Sequence, residues 1–249
     1  MDLGLKGKVA IITGGSEGIG KAAAKSLAAE GANVIIFARR QERLDNASKE
    51  ILDATGANIT TVSGDVTKPK DIEGAVQKAI DLFGKIDILV NNAGTASSNP
   101  FDEVDDAEWA ADLDLKLFGA IRFSRQVIPH MKKQGGGRVI NIGSIAAQRA
   151  RHNSVPYTTS KHAVWGLTQS SALEGRDFGI AVSSIHPGNV AVERRSDGRS
   201  STGRDEGPEP LIQPEEIGKT ALLMATLPEN SNMLEAIILP LKQDYLGRG

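Results

Sequence analysis

Short apolar runs alternate with longer segments of helical periodicity along nearly the whole chain. The runs are rich in Val and Ile, are bounded by Gly, Asn or Asp, and predict seven strands. These strands cover residues 9–13, 33–38, 58–63, 86–91, 138–142, 180–186 and 234–239. The spacing of apolar residues between the runs predicts helices over residues 18–30, 41–54, 70–83, 105–133, 156–176 and 214–226.

The predicted strands are continuous apolar runs rather than alternating ones, which indicates burial on both faces of a sheet. Strand–helix–strand alternation predicts a parallel sheet with right-handed crossovers and helices on both faces. The fold class is therefore α/β, a doubly wound seven-stranded parallel sheet. No Pro/Gly-rich linker divides the chain, so we expect a single domain over 1–249. Residues 191–210 are polar and aperiodic, which predicts either a substrate lid or a disordered loop.

Composition narrows the classes of partner. Of 249 residues, 40% are hydrophobic and 24% charged, with 29 basic against 31 acidic residues and a net charge of -2. This balance predicts neither a nucleic-acid nor a membrane-surface partner. The absence of Cys excludes disulfides and thiolate metal sites, and the four His show no metal-binding spacing, so no metal site is predicted. The N-terminus lacks the pattern of a secretory signal, and no apolar run approaches the ~20 residues of a membrane span. We expect a cytoplasmic protein.

A glycine-rich turn follows the first predicted strand and opens the first predicted helix. Its string is Thr13-Gly14-Gly15-Ser16-Glu17-Gly18-Ile19-Gly20. Glycines there let backbone N–H groups approach a pyrophosphate, whose charge the helix N-terminus favours. Glycine also marks ordinary tight turns, but the strand–turn–helix context favours a dinucleotide site.

The end of the second predicted strand indicates which dinucleotide binds. An Asp or Glu there would bind the ribose hydroxyls of NAD, but the chain reads Ala38-Arg39-Arg40. A planar guanidinium suits a 2′-phosphate, so we expect NADP, with NAD less favoured. Two observations oppose this: Glu17 brings an acid to the glycine-rich turn, and Arg40 begins a charged helix, where it could simply face solvent.

Candidate acid–base chemistry lies between residues 144 and 161. Tyr157 and Lys161 are four positions apart, so a helix brings the phenol and the ammonium onto one face. A nearby cation favours the phenolate, which makes the phenol a usable proton donor or acceptor. Ser144 adds a hydroxyl that could hold a carbonyl or alcohol oxygen. Tyr-x-x-x-Lys alone also arises from helix packing, and only the rest of the chain gives it weight.

Taken together, these motifs resemble the short-chain dehydrogenase/reductase family, of the Tyr-x-x-x-Lys type, over nearly the whole chain. The motifs that carry the resemblance, in order, are Thr13-Gly14 to Gly20, Asn91-Asn92-Ala93-Gly94, Ser144, Tyr157 with Lys161, and Pro187-Gly188.

The resemblance implies a single-domain Rossmann fold and a role for each matching residue. Ser144 would hold the substrate oxygen, Tyr157 would transfer the proton, and Lys161 would hold the nicotinamide ribose and favour the phenolate. Asp65 would receive the adenine amino group, although an Asp before Pro69 is also typical of a turn or a helix cap. Asn91 would stabilise the sheet. The remaining cofactor contacts would come from Val66, Asn92, Ala93, Gly94, Pro187, Gly188 and Val190.

The chain departs from the family pattern at three places. Lys116 stands where the family usually has an Asn on a proton relay. It could serve as the relay, point elsewhere or lie exposed on the helix; as a second ammonium near Lys161 it would lower both lysine pKa values. Val192 stands where a Thr often touches the nicotinamide carboxamide, a contact that Asn189 or the backbone could replace. The usual Gly-Gly pair after the last strand is absent, and the ending is similar to the NADP-dependent 3-hydroxy acid (serine-type) dehydrogenase branch.

The resulting hypothesis is an NAD(P)-dependent oxidoreductase that exchanges hydride with a carbonyl or secondary alcohol, such as a 3-oxoacyl compound or 3-hydroxy acid. The alternatives are a catalytically silent NADP(H)-binding sensor and an epimerase or dehydratase. We expect substrate contacts from the turn after Asn91, from residues 191–210 and from the residues after Ser144, which include Gln148, Arg149, Arg151, His152 and Asn153. The resemblance also implies a homotetramer or homodimer.

Overall fold

The computed structural model describes residues 3–95, 99–192 and 209–245. All seven predicted strands are present in one parallel sheet, in the order β3-β2-β1-β4-β5-β6-β7. Their bounds are β1 Val9–Thr13, β2 Asn33–Ala38, β3 Thr60–Ser63, β4 Ile88–Asn91, β5 Gly137–Ile142, β6 Ile180–Pro187 and β7 Glu235–Ile238. The predicted starts of β3 and β4 were two residues early, and β7 is one residue shorter at each end.

Seven α-helices connect the strands among the described residues. They are α1 Gly18–Ala29, α2 Gln41–Thr55, α3 Pro69–Phe83, α4 Asp106–Leu113, α5 Gly119–Gln134, α6 Val155–Gly175 and α7 Pro214–Thr226. The prediction of one uninterrupted α-helix over 105–133 was wrong. A π-helical segment, Asp114–Phe118, separates α4 from α5. Such segments widen the helix locally and are frequent at functional sites.

The two faces of the sheet carry separate hydrophobic cores, as the continuous apolar strands predict. Within β1, Ile12 packs into one core and Ile11 into the other. The first core includes apolar residues of α1, α2 and α7, and the second includes residues of α3 and α5. Every residue of β1 is buried. This arrangement confirms the doubly wound α/β Rossmann fold.

The strand order reverses between β1 and β4, which are adjacent although β2 and β3 intervene in the chain. In doubly wound sheets the ligand crevice opens at such a reversal, beyond the carboxyl ends of the strands. The glycine-rich turn follows β1 and the Asn91–Gly94 segment follows β4. The fold therefore brings both predicted cofactor motifs to one edge of the sheet.

The apolar face Ala120, Phe123 and Val127 of α5 is core, since all three residues are buried. Of the predicted lid, 193–208 lies outside the described residues. Within the described part of the chain, no helix combines the length and the apolar character needed to cross a bilayer.

Candidate active site

One cleft at the reversal point is lined by most of the predicted site residues. From the cofactor set it includes Gly14, Ser16, Glu17, Gly18, Ile19, Arg39, Arg40, Asp65, Val66, Asn92, Ala93, Gly94, Pro187, Gly188 and Val190. The catalytic candidates Lys116, Ser144, Tyr157 and Lys161 line it as well. Gly20 does not line the cleft; a Cβ at this position would overlap the Gly14 carbonyl and the Asn92 side chain. Gly20 therefore permits close packing of the turn behind the cleft wall.

The glycine-rich turn is tied to the end of β4 by a set of hydrogen bonds. Thr13 Oγ1 accepts from the backbone N–H groups of Asn92 (2.9 Å) and Ala93 (3.0 Å). In return, Asn92 Nδ2 donates to the carbonyls of Thr13 and Gly14, each at 3.0 Å. Gly14 has φ +64°, which favours glycine. The turn is thus held open in front of the N-terminus of α1, where an anionic group is favoured.

Arg43, an arginine that the sequence did not single out, pairs with a residue of the cleft lining. Glu17 forms an ion pair with Arg43 in the first turn of α2 and lies 3.7 Å from Arg40. Arg39 and Arg40 are exposed and line the cleft. From the sequence we expected Glu17 only to oppose the binding of a phosphate. In the structure its carboxylate also holds guanidinium groups beside the glycine-rich turn.

The turn interpretation of Asp65 is confirmed, and its adenine contact stays a prediction. Its Oδ1 accepts a hydrogen bond from Thr67 N at 2.9 Å, which is the predicted turn, and the residue also lines the cleft. Asn91 behaves as the resemblance implies: its Nδ2 donates to Asn141 Oδ1 (2.9 Å) in β5 and to Ser124 Oγ (3.1 Å) in α5.

Tyr157 lies in the first turn of α6, and Lys161 follows one turn later on the same face. The Lys161 ammonium is 5.7 Å from the centre of the Tyr157 ring and donates to the Ile142 carbonyl at the end of β5 (2.7 Å). Burial lowers the pKa of Lys161 from 10.5 to about 8, an effect that the charge of Asp112 partly opposes. Ser144 is buried beside them and its Oγ accepts from Ala146 N at 3.1 Å.

Lys116 approaches the same phenol from the π-helical segment. Its ammonium is 5.4 Å from the centre of the Tyr157 ring. Only 1% of its side chain is exposed, and it forms a buried ion pair with Asp112, four residues earlier. Burial lowers the pKa of Lys116, whereas the hydrogen bond and charge of Asp112 raise it and the charge of Lys161 lowers it. The exposed alternative for Lys116 was therefore wrong, and its buried partner Asp112 was not anticipated from the sequence.

Only part of the segment after Ser144 lines the cleft. Arg151 and His152 line the cleft, and Arg151 forms an ion pair with Glu209 at 3.2 Å. Gln148 and Arg149 are not among the described lining residues. Val192 lines the cleft, whereas Asn189, which we considered as a substitute for the missing Thr, is buried outside the lining. No cluster of three or more His, Cys, Asp or Glu that could hold a metal occurs among the described residues.

Comparison with known proteins decides the family. The sequence model of the short chain dehydrogenase family matches residues 8–202. The chain belongs to this family. An uncharacterized oxidoreductase of Staphylococcus saprophyticus is 35% identical over 236 residues, covering 95% of this chain and 98% of that protein.

Solved structures of this family are similar to the chain as well. L-sorbose reductase from Gluconobacter frateurii, complexed with NADPH and L-sorbose, has a TM-score of 0.86 at 30% identity and covers 96% of this chain and 98% of its own. A putative gluconate dehydrogenase from Agrobacterium tumefaciens has a TM-score of 0.85 at 29% identity, with 96% of each chain covered. Family membership supports the predicted oxidoreductase class.

The burial of Lys161 leads to a prediction about how the free energy of unfolding depends on pH, which can be tested without a substrate. With a folded pKa of about 8 against 10.5, Lys161 is charged below pH 8 in both states and carries its full burial penalty there. Between pH 8 and 10.5 the unfolded chain holds the extra proton, so this penalty falls as pH rises. We expect the free energy of unfolding to rise more steeply with pH, between 8 and 9.5, in the wild type than in Lys161→Met. The contribution of one proton approaches about 1.4 kcal/mol per pH unit.

Urea unfolding at pH 7, 8, 9 and 9.5 measures both slopes. Lys116→Met serves as a second comparison, because burial lowers its pKa in the same direction. Parallel curves for the wild type and Lys161→Met would contradict the lowered pKa.

Proposed function

We propose that the protein is an NADP-dependent oxidoreductase that interconverts a small carbonyl compound and its secondary alcohol, with Tyr157 as the general acid and base. The observation that carries the proposal is the position of Tyr157. The centre of its ring lies within 6 Å of two ammonium groups, that of Lys116 at 5.4 Å and that of Lys161 at 5.7 Å, in the same cleft as Ser144 and the glycine-rich turn. A silent sensor has no need for this complete acid–base set.

The cleft fits NADP in both charge and shape. The turn at Gly14 and the N-terminus of α1 suit the pyrophosphate, and Asp65 and Val66 line the adenine side. Arg39 and Arg40, which follow β2, would hold the 2′-phosphate, and Glu17 lies 3.7 Å from Arg40 and can orient it. Asn92, Ala93, Gly94, Pro187, Gly188 and Val190 form the remaining wall. The NADPH complex of the similar L-sorbose reductase supports this choice. The bound nicotinamide would supply or accept the hydride.

The protein residues have separate tasks around the reacting oxygen. Ser144 holds the carbonyl oxygen, and Tyr157 gives its phenolic proton to that oxygen as negative charge develops there. Lys161 and Lys116 both stabilise the phenolate that remains, and Lys116 with Asp112 is proposed to stand in the place of the family's usual Asn. In the oxidative direction Tyr157 takes the proton back from the alcohol.

The lining on the substrate side is polar, which favours a small hydroxylated or acidic substrate. Arg151, His152 and Ser154 line the cleft there. The similar proteins bind or are named for polyhydroxylated compounds, namely L-sorbose and gluconate. Hydroxylated ketones and 3-oxo acids are therefore the first classes to test. An epimerase or dehydratase on this site would convert its substrate with no net change in cofactor.

The experiment is NADPH and NADH oxidation by the purified protein with keto sugars, 3-oxo acids, 3-oxoacyl thioesters and diketones. We expect consumption of NADPH well above NADH. Tight NADPH binding without consumption for any compound would favour the sensor. Product formation without consumption would favour an epimerase or dehydratase.

Arg39 gives a prediction about cofactor choice. Hydrogen bonds to charged groups contribute about 1.5–3 kcal/mol, and Arg39 is exposed, so the lower end applies. Arg39→Ala is expected to raise the Kd for NADPH about tenfold and to leave that for NADH within about twofold. Arg176→Ala, an exposed arginine outside the cleft lining, is the matched control. Fluorescence titration measures both constants. Equal weakening for both cofactors would mean that Arg39 does not face the 2′-phosphate.

A further inference from the structure

A buried histidine joins the Ser144 turn to the last strands of the sheet. His186, near the end of β6, is 0% exposed, and its Nδ1 lies 2.9 Å from the Ser144 carbonyl oxygen. A carbonyl can only accept, so Nδ1 carries a proton and donates it. The Trp165 ring packs edge-on against the imidazole at 5.3 Å. The ring therefore has a fixed orientation and a fixed tautomer at Nδ1.

The imidazole also packs directly beneath the Ser144 turn. A Cβ at Gly143 would lie only 2.7 Å from His186 Nδ1, and Gly143 N donates to the neighbouring Ile185 carbonyl at 2.7 Å. No space separates the ring from the backbone that precedes Ser144. A shift of the ring consequently shifts Ser144, which lines the cleft.

The opposite side of the imidazole faces a carboxylate that holds the other end of the same turn. His186 Nε2 is 3.5 Å from Glu235 Oε1 in β7, and with the ring proton on Nδ1 this is a packing contact and not a hydrogen bond. The same Glu235 oxygen accepts a hydrogen bond from Gln148 Nε2, four residues after Ser144. His186 therefore holds the Ser144 end of the turn, and Glu235, which packs against the same imidazole, holds the Gln148 end.

The C-terminal segment, residues 240–245, closes this set of contacts. The Tyr245 hydroxyl donates to Gln148 Oε1, and the Arg149 guanidinium lies 5.4 Å from the centre of the Tyr245 ring. Gln148 and Arg149 thus face the C-terminal segment, which explains why they do not line the cleft.

The same segment also contacts the opposite wall of the cleft. Gln243 Oε1 accepts from Asn189 N at 2.9 Å, and Gly188 N donates to the Ile238 carbonyl at 2.8 Å. A Cβ at Gly188 would overlap the Gln243 side chain. The C-terminal segment therefore touches both the turn after Ser144 and the 187–189 turn, two segments that are far apart in sequence and that each contribute a residue to the cleft lining.

We propose that His186, Glu235, Gln148, Gln243 and Tyr245 form a positioning network that fixes the Ser144 hydroxyl relative to the 187–189 turn. The proposal rests on the proposed function, because it assigns the network to the substrate oxygen held by Ser144 and to the cofactor wall formed by Pro187 and Gly188. His186 is a positioning residue, since it acts through Ser144 and does not line the cleft. A misplacement of about 1 Å at a reacting group can reduce a rate about 100-fold.

Two substitutions at one position separate positioning from packing. His186→Phe keeps a ring against Trp165 but removes both nitrogens, whereas the His186→Asn amide can still donate to the Ser144 carbonyl. We expect His186→Phe to lower kcat for carbonyl reduction 10- to 100-fold with the Kd for NADPH within threefold. His186→Asn is expected to retain kcat within about fivefold. An unchanged kcat in His186→Phe, or equal loss in both variants, would overturn the role of His186.

Partly exposed residues provide a second test that does not alter the core. Tyr245→Phe removes one hydroxyl, and we expect a three- to tenfold lower kcat/KM for the carbonyl substrate. Gln243→Ala is expected to raise the KM for NADPH three- to tenfold, because it releases the 187–189 turn. Gln77→Ala, an exposed glutamine on α3 that bonds Asp81, is the control. Wild-type constants for both network variants would contradict the proposal.

Amide hydrogen exchange makes the network testable apart from turnover. We expect faster exchange at residues 144–149 in Tyr245→Phe and His186→Phe than in the wild type, measured with NADPH present. If the variants exchange faster but the wild type oxidises NADPH with none of the carbonyl compounds, the network is supported and the proposed function is refuted. Unchanged exchange and unchanged kinetics in an active enzyme would refute the network alone.

Discussion

Replacement of Tyr157 by Phe is expected to remove nearly all turnover while cofactor binding survives. A positioned general acid contributes roughly 10²–10⁴-fold to a rate, and no other phenol lines the cleft among the described residues. The two ammonium groups near the ring, at 5.4 and 5.7 Å from its centre, would then have no phenolate to stabilise. We expect kcat to fall by about that factor and the Kd for NADPH to stay within about threefold.

Tyr245→Phe makes the same chemical change at the only other tyrosine, outside the cleft lining. The expected loss of kcat/KM in Tyr245→Phe, at most about tenfold, is the reference against which the loss in Tyr157→Phe is compared. Steady-state rates with the best substrate of the panel and NADPH titration measure the two quantities. A Tyr157→Phe enzyme that keeps a tenth or more of its kcat would require another proton donor and would refute the assignment.

The second large effect is expected in stability, at the buried pair of Lys116 and Asp112. Only 1% and 5% of these side chains are exposed, so removal of either partner leaves a charge with little access to water. Breaking a buried pair in this way typically costs about 3–5 kcal/mol, whereas replacing both partners by apolar residues is often neutral or stabilising. We expect Lys116→Met to lower the free energy of unfolding by about that amount and Asp112→Leu/Lys116→Met to recover most of it.

A pair in the same region of the chain supplies the matched control. Arg122 and Asp114 form an ion pair whose side chains are 23% and 37% exposed, and exposed pairs contribute about 0–1 kcal/mol. Arg122→Met is therefore expected to cost less than about 1 kcal/mol in urea unfolding. A Lys116→Met protein as stable as the Arg122→Met protein would mean that the Lys116 pair does not behave as buried.

Activity of the same variants tests whether Lys116 also acts in catalysis. Lys116→Asn introduces the residue usual at this position in the family, and the double apolar variant removes the ammonium without leaving a buried charge. We expect the double variant to lose kcat relative to Lys116→Asn at a temperature where both are folded. Equal kcat values would leave Lys116 with a structural role alone.

The sequence by itself determined the order and type of the elements. Strands such as β1 and β2 are continuous apolar runs because both faces of the sheet are covered, and that requirement is visible residue by residue. The glycine-rich turn and the Tyr157–Lys161 pair were also predictable, because each lies within one turn or one helix, where spacing along the chain fixes the geometry. The identity of the cleft as a dinucleotide site follows from these local patterns.

The tertiary structure decided what surrounds those motifs. One such feature is the π-helical segment Asp114–Phe118 within the predicted 105–133 helix, and another is the burial of Lys116 against Asp112. Both depend on how α4, α5 and α6 pack, which hydrophobic periodicity does not encode. Arg43 and Glu17 come from different elements, as do His186 and the Ser144 turn. Contacts between residues distant in sequence arise only when the sheet order and the helix packing are established, so tertiary structure alone reveals them.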